Sequence, residues 1–242
     1  MIDLKGGEVV HARAGARGAY QPIQTPLGPA GDAIAIARAL LAVTASPLLY
    51  VADLDAIEGH GTHFELCRAL SDALPGTTLW IDAGFSSLTD CAFWLPLGTT
   101  LVIGSESIAT IEIWQELRAS LGESLVLSLD FAMDGLRGPQ AFLSEPALWP
   151  DRIIVMCLTR LGTDRGPDIA RLKAVVAQAG ARAVYAAGGV RGVSDIEAIA
   201  AAGASGALIA TALHARAIVQ NEIAAFQGRR RSRLDQIRNP AS

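Results

Sequence analysis

Short apolar runs alternate with stretches of helical spacing along the chain, and this alternation limits the fold more than any other feature. The runs are Met1–Leu4, Leu48–Leu54, Thr78–Ile81, Thr100–Ile103, Ser124–Leu129, Arg152–Cys157, Ala183–Ala187 and Ala207–Ala210. Most are apolar at successive positions, as strands covered on both faces must be. Between them, Asp32–Ala45, His63–Ala73, Thr110–Leu121, Asp168–Gln178, Ser194–Ala202 and Ala212–Phe226 carry helical periodicity. Leu88–Leu95 and Ser144–Trp149 are shorter and weaker patterns of the same kind. Strand-then-helix units in series predict a parallel sheet, because crossovers between parallel strands are right-handed. The count by itself fits an open sheet or a closed barrel.

An internal echo separates the two. Ile81-Asp82-Ala83-Gly84-Phe85-Ser86-Ser87-Leu88-Thr89-Asp90 parallels Ala186-Ala187-Gly188-Gly189-Val190-Arg191-Gly192-Val193-Ser194-Asp195. Leu101-Val102-Ile103-Gly104-Ser105 parallels Ala207-Leu208-Ile209-Ala210-Thr211, and Asp3 ends the first run as Asp130 ends the fifth. Four β/α units repeated in the same order close naturally into an α/β fold of the (β/α)₈ TIM-barrel type, built from two half-barrels. At 242 residues the chain suits one such domain. We place the barrel at residues 1–227 and a basic tail at 228–242, which holds Arg229, Arg230, Arg231 and Arg233.

Apolar residues make up 51% of the chain and charged residues 18%, enough for a large buried core in a globular protein. A net charge of −4 argues against nucleic acid as a partner. No apolar stretch is long enough to span a membrane, and the first residues lack a secretion pattern. Cys67, Cys91 and Cys157 are widely spaced and form neither a disulfide framework nor a zinc pattern. The expectation is a cytoplasmic protein without a metal or other cofactor, and the oligomeric state is left open.

Active sites of such barrels lie at the C-terminal ends of the strands, so polar residues that end apolar runs are the ones to weigh. Asp3, Asp53, Asp55, Asp82 and Asp130 qualify. Carboxyls crowded at a buried mouth raise one another's pKa, so that one holds a proton as acid while another stays ionised as base. Asp3 and Asp130, at equivalent places in the two halves, are the expected pair. Gly188 and Gly189, with Thr211 after the next strand, suit a phosphate, because glycine lets backbone N–H groups approach it. Gly84, Gly104 and Ser105 are the matching group in the first half. Asp82, however, stands there where a small residue is expected, and its carboxylate repels phosphate. That half binds a second phosphate, or an amine or hydroxyl, or nothing. Lys5 precedes Gly6-Gly7 and is read as a substrate contact or a surface lysine. His60 and His63 sit in a polar loop read as plain loop, and Cys157 as a packing residue.

Ile2-Asp3-Leu4-Lys5-Gly6-Gly7-Glu8-Val9-Val10, Ala52-Asp53-Leu54-Asp55-Ala56, Ser128-Leu129-Asp130-Phe131 and Gly188-Gly189-Val190 resemble the HisA/HisF barrels of histidine biosynthesis. That family binds substrates with a phosphate at each end, and its isomerase member carries out an Amadori rearrangement. The resemblance implies base and acid roles for Asp3 and Asp130. It places one phosphate on Gly188, Gly189 and Thr211 and the other on Gly84, Gly104 and Ser105. The chain departs from the family where Thr-Asp and Asp-Gly of the sixth unit read Met156-Cys157 and Leu161-Gly162. It departs again where a Gly-Gly-Gly-Ile-Arg turn reads Asp82-Ala83-Gly84-Phe85-Ser86, and where His11 replaces a basic residue. Tyr20-Gln21-Pro22-Ile23, Tyr50–Ile57 and Ile103–Ser107 are similar to a HisA-like subgroup associated with tetrahydromethanopterin-linked one-carbon metabolism. Three readings follow. The first is a HisA-like isomerase of a phosphorylated ribosyl or aminosugar compound. The second is a non-catalytic phospho-ligand barrel or complex subunit in pterin metabolism. The third is the phosphoribosylformimino-5-aminoimidazole carboxamide ribotide isomerase of histidine biosynthesis itself.

Overall fold

The computed structural model describes residues 1–11 and 20–238, with side chains up to residue 230. Eight parallel strands form the wall: β1 (Ile2–Lys5), β3 (Leu48–Asp53), β4 (Thr78–Asp82), β5 (Thr100–Gly104), β6 (Leu125–Ala132), β8 (Arg152–Cys157), β9 (Ala183–Ala187) and β10 (Gly206–Leu208). They pair in chain order from β1 round to β10. A bond from the amino group of Met1 to the Ile209 carbonyl, 2.9 Å long, joins the first strand to the end of the last. The sheet curls into the (β/α)₈ barrel that the alternating pattern implies.

Two short strands were not foreseen. β2 (Glu8–Val10) folds back on β1 through Gly6-Gly7, and β7 (Gly135–Leu136) folds back on β6. Both glycines of the first turn have positive φ (58° and 81°), the conformation a two-residue hairpin demands. Each half therefore opens with a strand that runs on into an antiparallel hairpin at the same rim, which strengthens the internal equivalence.

Side chains sort by the two-residue period of the strands. Ile2, Leu4, Val51, Leu79, Ile81, Leu101, Ile103, Leu127, Leu129, Val155 and Val184 point outward and pack with the helices into the larger core. The alternate positions Tyr50, Ala52, Trp80, Val102, Val126, Ile154, Met156, Ala187 and Leu208 fill the barrel interior. Trp80 and Tyr185 meet edge to face at 4.8 Å and help close the interior beneath the mouth. Asp3, Asp82, Ser128 and Asp130 occupy inward positions of the same alternation, above that floor.

The helices are α1 (Ala33–Thr44), α2 (Leu54–Ile57), α3 (Phe64–Ala73), α4 (Leu88–Ala92), α5 (Ile111–Leu121), α6 (Ala141–Ser144), α7 (Ile169–Ala179), α8 (Val193–Ala201), α9 (Thr211–His214) and α10 (Gln220–Arg238). Asp32, Thr110 and Asp168 cap α1, α5 and α7 with their side-chain oxygens. The expected helix over 212–226 is two helices. Arg216 takes φ of 53° and breaks the pattern, so that α9 stays at the rim while α10 packs on α1. The weak pattern at 144–149 is only the end of α6 and a turn of 3₁₀ helix at Pro146–Leu148. The expected boundary between 227 and 228 lies inside α10. Arg229 pairs with Glu197 at 2.7 Å, and Arg230 donates to the Ala204 and Ser205 carbonyls. This stretch is thus a helix leaning on the barrel. The side chains of Arg231 and Arg233 lie outside the described residues. No described helix is long and apolar enough to cross a membrane.

Candidate active site

The last inward positions within the parallel ladders of β1 and β6 carry Asp3 and Asp130. They are 6% and 5% exposed, and both line one cavity of about 80 Å³ at the C-terminal rim of the barrel. Asp82, at the last inward position of β4, lines it too, with Tyr50, Gly104, Glu106, Met156, Leu158 and Leu161 among its other walls. Burial pushes the Asp3 carboxyl up to about 6; the nearby amino terminus opposes the rise and Asp82 adds to it. Burial pushes Asp130 up to about 7, against a hydrogen bond from Ser128 that favours its ionised form. Asp82 and Glu106 add to the rise. Both carboxyls are therefore raised toward neutrality, with Asp3 the more easily ionised.

Asp130 is held on several sides. Ser128 Oγ donates to Oδ1 at 2.6 Å, the Glu106 N–H donates to Oδ2 at 3.3 Å, and Ser105 Oγ lies 3.5 Å from Oδ2. Ser105 Oγ also accepts the Asp130 N–H at 2.9 Å. A Cβ on Gly104 would stand 2.8 Å from Asp130 Oδ2, so glycine leaves the room this carboxyl fills. Gly104 and the buried Ser105 are thus engaged with Asp130. Gly84 has φ of 69° and lies so close to α2 that a Cβ would meet Ile57 Cα at 2.9 Å. Asp82 accepts the Tyr50 hydroxyl at 2.9 Å and the Gly84 N–H at 3.3 Å. Burial and Asp82 together push the Tyr50 hydroxyl well above its ordinary range.

A second cavity, of about 130 Å³, adjoins the first at Asp3 and Leu161. Gly188, Gly189, Thr211, Ile209, Ala210 and His11 line it. Gly188 and Gly189 have φ of 99° and 82°. A Cβ on Gly188 would come within 2.7 Å of the Cys157 carbonyl, and one on Gly189 would collide with the Gly166 carbonyl. Only glycine lets this turn lie so close to the β8 loop. Thr211 Oγ1 and His11 Nε2 are 3.1 Å apart, which brings the end of the first hairpin to the start of α9.

The remaining candidates lie elsewhere. Asp53 alternates outward from β3, away from the mouth. It is fully buried, caps α2, and accepts from Thr62 Oγ1, the His63 N–H and His63 Nδ1, the last at 2.8 Å. His63 Nε2 in turn accepts the Gly7 N–H at 2.8 Å, and Asp55 accepts the Gly6 N–H at 2.7 Å. Asp53, Asp55 and His63 fasten the hairpin turn instead of lining the mouth, so His63 is more than the plain loop residue expected. Lys5 bonds Glu58 at 2.6 Å and lies over the Tyr20 ring, outside both cavities. Cys157 packs into the outer core. Among the described residues no group of histidine, cysteine or carboxylate side chains suits a metal. Tyr50 and Ser128 were missed from the sequence. Ser128 precedes Asp130 by two residues and Tyr50 shares the inward face of β3 with Ala52, so the two-residue alternation could have flagged both.

A duplicated eightfold barrel with paired inward carboxyls at the rim and a glycine-walled cavity beside them defines the class of molecule. Residues 1–219 match the histidine biosynthesis protein family, and the chain belongs to it. It is 27% identical over 227 residues to an uncharacterised protein of Methanocaldococcus jannaschii, covering 92% of this chain and 95% of that one. It is 26% identical to a phosphoribosyl imidazole-carboxamide isomerase of a Roseiflexus species, covering 88% and 92% of the two chains. With phosphoribosyl isomerase A of Streptomyces coelicolor the identity is 28%, covering 91% and 94%.

Proposed function

We propose that the chain is an aldose–ketose isomerase of a phosphorylated ribosyl or aminosugar compound, working by paired carboxyl acid–base chemistry. The observation that carries the reading is the pair of buried carboxyls, Asp3 and Asp130, on one cavity, both raised by burial, with Asp130 raised further than Asp3. Asp130, the more readily protonated, donates to the ring oxygen and opens the sugar. Asp3, ionised, removes the proton at C2 to give the enol and returns it to C1, while the C2 hydroxyl gives its proton back to Asp130 as it becomes the ketone, so both carboxyls regain their starting states. General acid–base action of this kind is worth about 10²–10⁴-fold for each group. A phosphate seated at Gly188, Gly189 and Thr211 anchors the substrate beside Asp3. The isomerase names of two relatives support the reaction class.

The test is exchange of the substrate C2 proton with solvent deuterium across a panel of aminoaldose phosphates, for the native chain and for Asp3→Asn. Exchange and conversion in the native chain, abolished in a folded Asp3→Asn variant that still binds ribose 5-phosphate, are the expected results. Turnover retained by Asp3→Asn eliminates this role.

A second reading rests on the apolar side chains Met156 and Leu161, which line the cavity at positions where the family resemblance implies polar groups. It is a barrel that holds a phosphorylated pterin or ribosyl compound of one-carbon cofactor metabolism without turning it over. Thermal stabilisation by such a ligand with no conversion of any aminoaldose phosphate favours it. Rescue of a histidine auxotroph lacking the isomerase instead assigns the histidine-pathway substrate.

A further inference from the structure

The two halves of the rim are built alike and chemically opposed. Asp82, Ala83 and Gly84 stand where Ala187, Gly188 and Gly189 stand in the other half, and Gly104, Ser105 and Glu106 match Ala210, Thr211 and Ala212. In the second half Gly188, Gly189, Ala210, Thr211 and Ala212 wall a cavity of about 130 Å³; its carboxyls, Asp3 and Asp164, come from other places in the chain, and the matching strand ends carry Ala187 and Ala210. In the first half the same backbone carries the chain's own carboxyls. The Gly84 N–H, counterpart of the Gly189 N–H, donates to Asp82 Oδ1 at 3.3 Å. The Glu106 N–H, counterpart of the Ala212 N–H, donates to Asp130 Oδ2 at 3.3 Å. Ser105 Oγ, counterpart of Thr211 Oγ1, lies against Asp130 as well. Asp130 Oδ2 also fills the space beside Gly104. Tyr50 Oη donates to Asp82 Oδ2 at 2.9 Å and so fixes that carboxyl at the strand end.

We infer that the first-half anion seat is filled from within, so that the substrate carries a single phosphate, bound at Gly188–Gly189, and presents an uncharged or cationic end to Asp82. The donors a second phosphate needs are already bonded to Asp82 and Asp130, and a dianion in their place would also meet two carboxyls in a poorly solvated pocket. The inference rests on the anion seat of the proposed function and narrows its substrate class.

The test is titration of the full chain with inorganic phosphate, ribose 5-phosphate and ribulose 1,5-bisphosphate, read by calorimetry for stoichiometry and affinity. One phosphate per chain is expected, with the bisphosphate within about threefold of the monophosphate, a gap well under the tenfold that corresponds to about 1.4 kcal/mol. Two phosphates per chain, or a bisphosphate bound more than about threefold tighter, overturns the inference while leaving the Gly188–Gly189 seat standing. Loss of all binding overturns the seat itself and the inference with it. In a folded Asp82→Ala variant the bisphosphate should gain about tenfold over the monophosphate, as a freed N–H and a lost charge allow. An unchanged ratio in that variant overturns the role of Asp82. Should Asp82→Ala not fold, the native stoichiometry and affinity ratio still decide the question.

Discussion

At the scale of single residues, the mouth is governed by what burial does to a carboxyl. Asp3 and Asp130 are raised to about 6 and about 7, chiefly by desolvation. A carboxyl raised on folding favours the folded state when protonated. Its contribution is whole below the ordinary carboxylate range and is lost as pH climbs through its folded value. Asp130→Asn should therefore melt higher than the native chain at pH 8, by about 1–4 kcal/mol of stability, with the gap narrowing as pH falls below about 7 and closing only below about pH 4. Thermal melts of both proteins across that range check it, and a gap that widens toward acid pH refutes it. The same variant should lose the acid and with it turnover. Gly188→Ala is expected to cost about 1–3 kcal/mol and to abolish phosphate-induced stabilisation, because a Cβ at positive φ would sit 2.7 Å from the Cys157 carbonyl. A variant that melts and binds like the native chain contradicts this.

At the scale of elements, the first hairpin is the part most dependent on contacts from far along the chain. Its turn hangs on Asp55 and His63, and His63 is itself oriented by the buried Asp53. Replacing His63 with Ala removes one partner of a buried carboxylate and frees the Gly7 N–H, a loss of about 1–3 kcal/mol. The hairpin also carries His11 to Thr211, so affinity for ribose 5-phosphate should fall in His63→Ala although His63 lies outside both cavities. Unchanged affinity would show the hairpin to be independent of its fastening. The C-terminal helix behaves differently. Arg229–Glu197 is an exposed pair, and such pairs contribute roughly 0–1 kcal/mol. Deleting residues 228–242 should shift the melting temperature by only a few degrees and leave phosphate binding intact, because Ile223 remains to pack on the core. Loss of folding on deletion would mean the helix is integral to the barrel.

At the scale of the whole molecule, the closed wall converts sequence-distant carboxyls into one site. β1 and β6 begin the two halves, and the curl of the sheet turns their last inward side chains into a common cavity. With an ionised base near 6 and a protonated acid near 7, turnover should follow a narrow bell between those values. A flat profile from pH 5 to pH 8 would sink the paired mechanism.

The amino-acid sequence determined the number and order of the β/α units, their internal duplication, the carboxyls at the ends of the first and fifth runs, and the glycine turn of the seventh. These are local properties: periodicity, residue type at a strand end, and the φ that only glycine tolerates. The tertiary structure decided the rest. Asp53 and Asp82 end neighbouring apolar runs and look alike in the sequence, yet one points out to cap a helix and hold His63 while the other points in. A shift of one position on a strand reverses the face, and only register settles which face a terminal residue takes. Gly104 and Ser105 read as an anion cradle until the fold set Asp130 against them. Which donors remain open to a ligand depends on groups brought together by closure of the barrel, and no local pattern records that pairing.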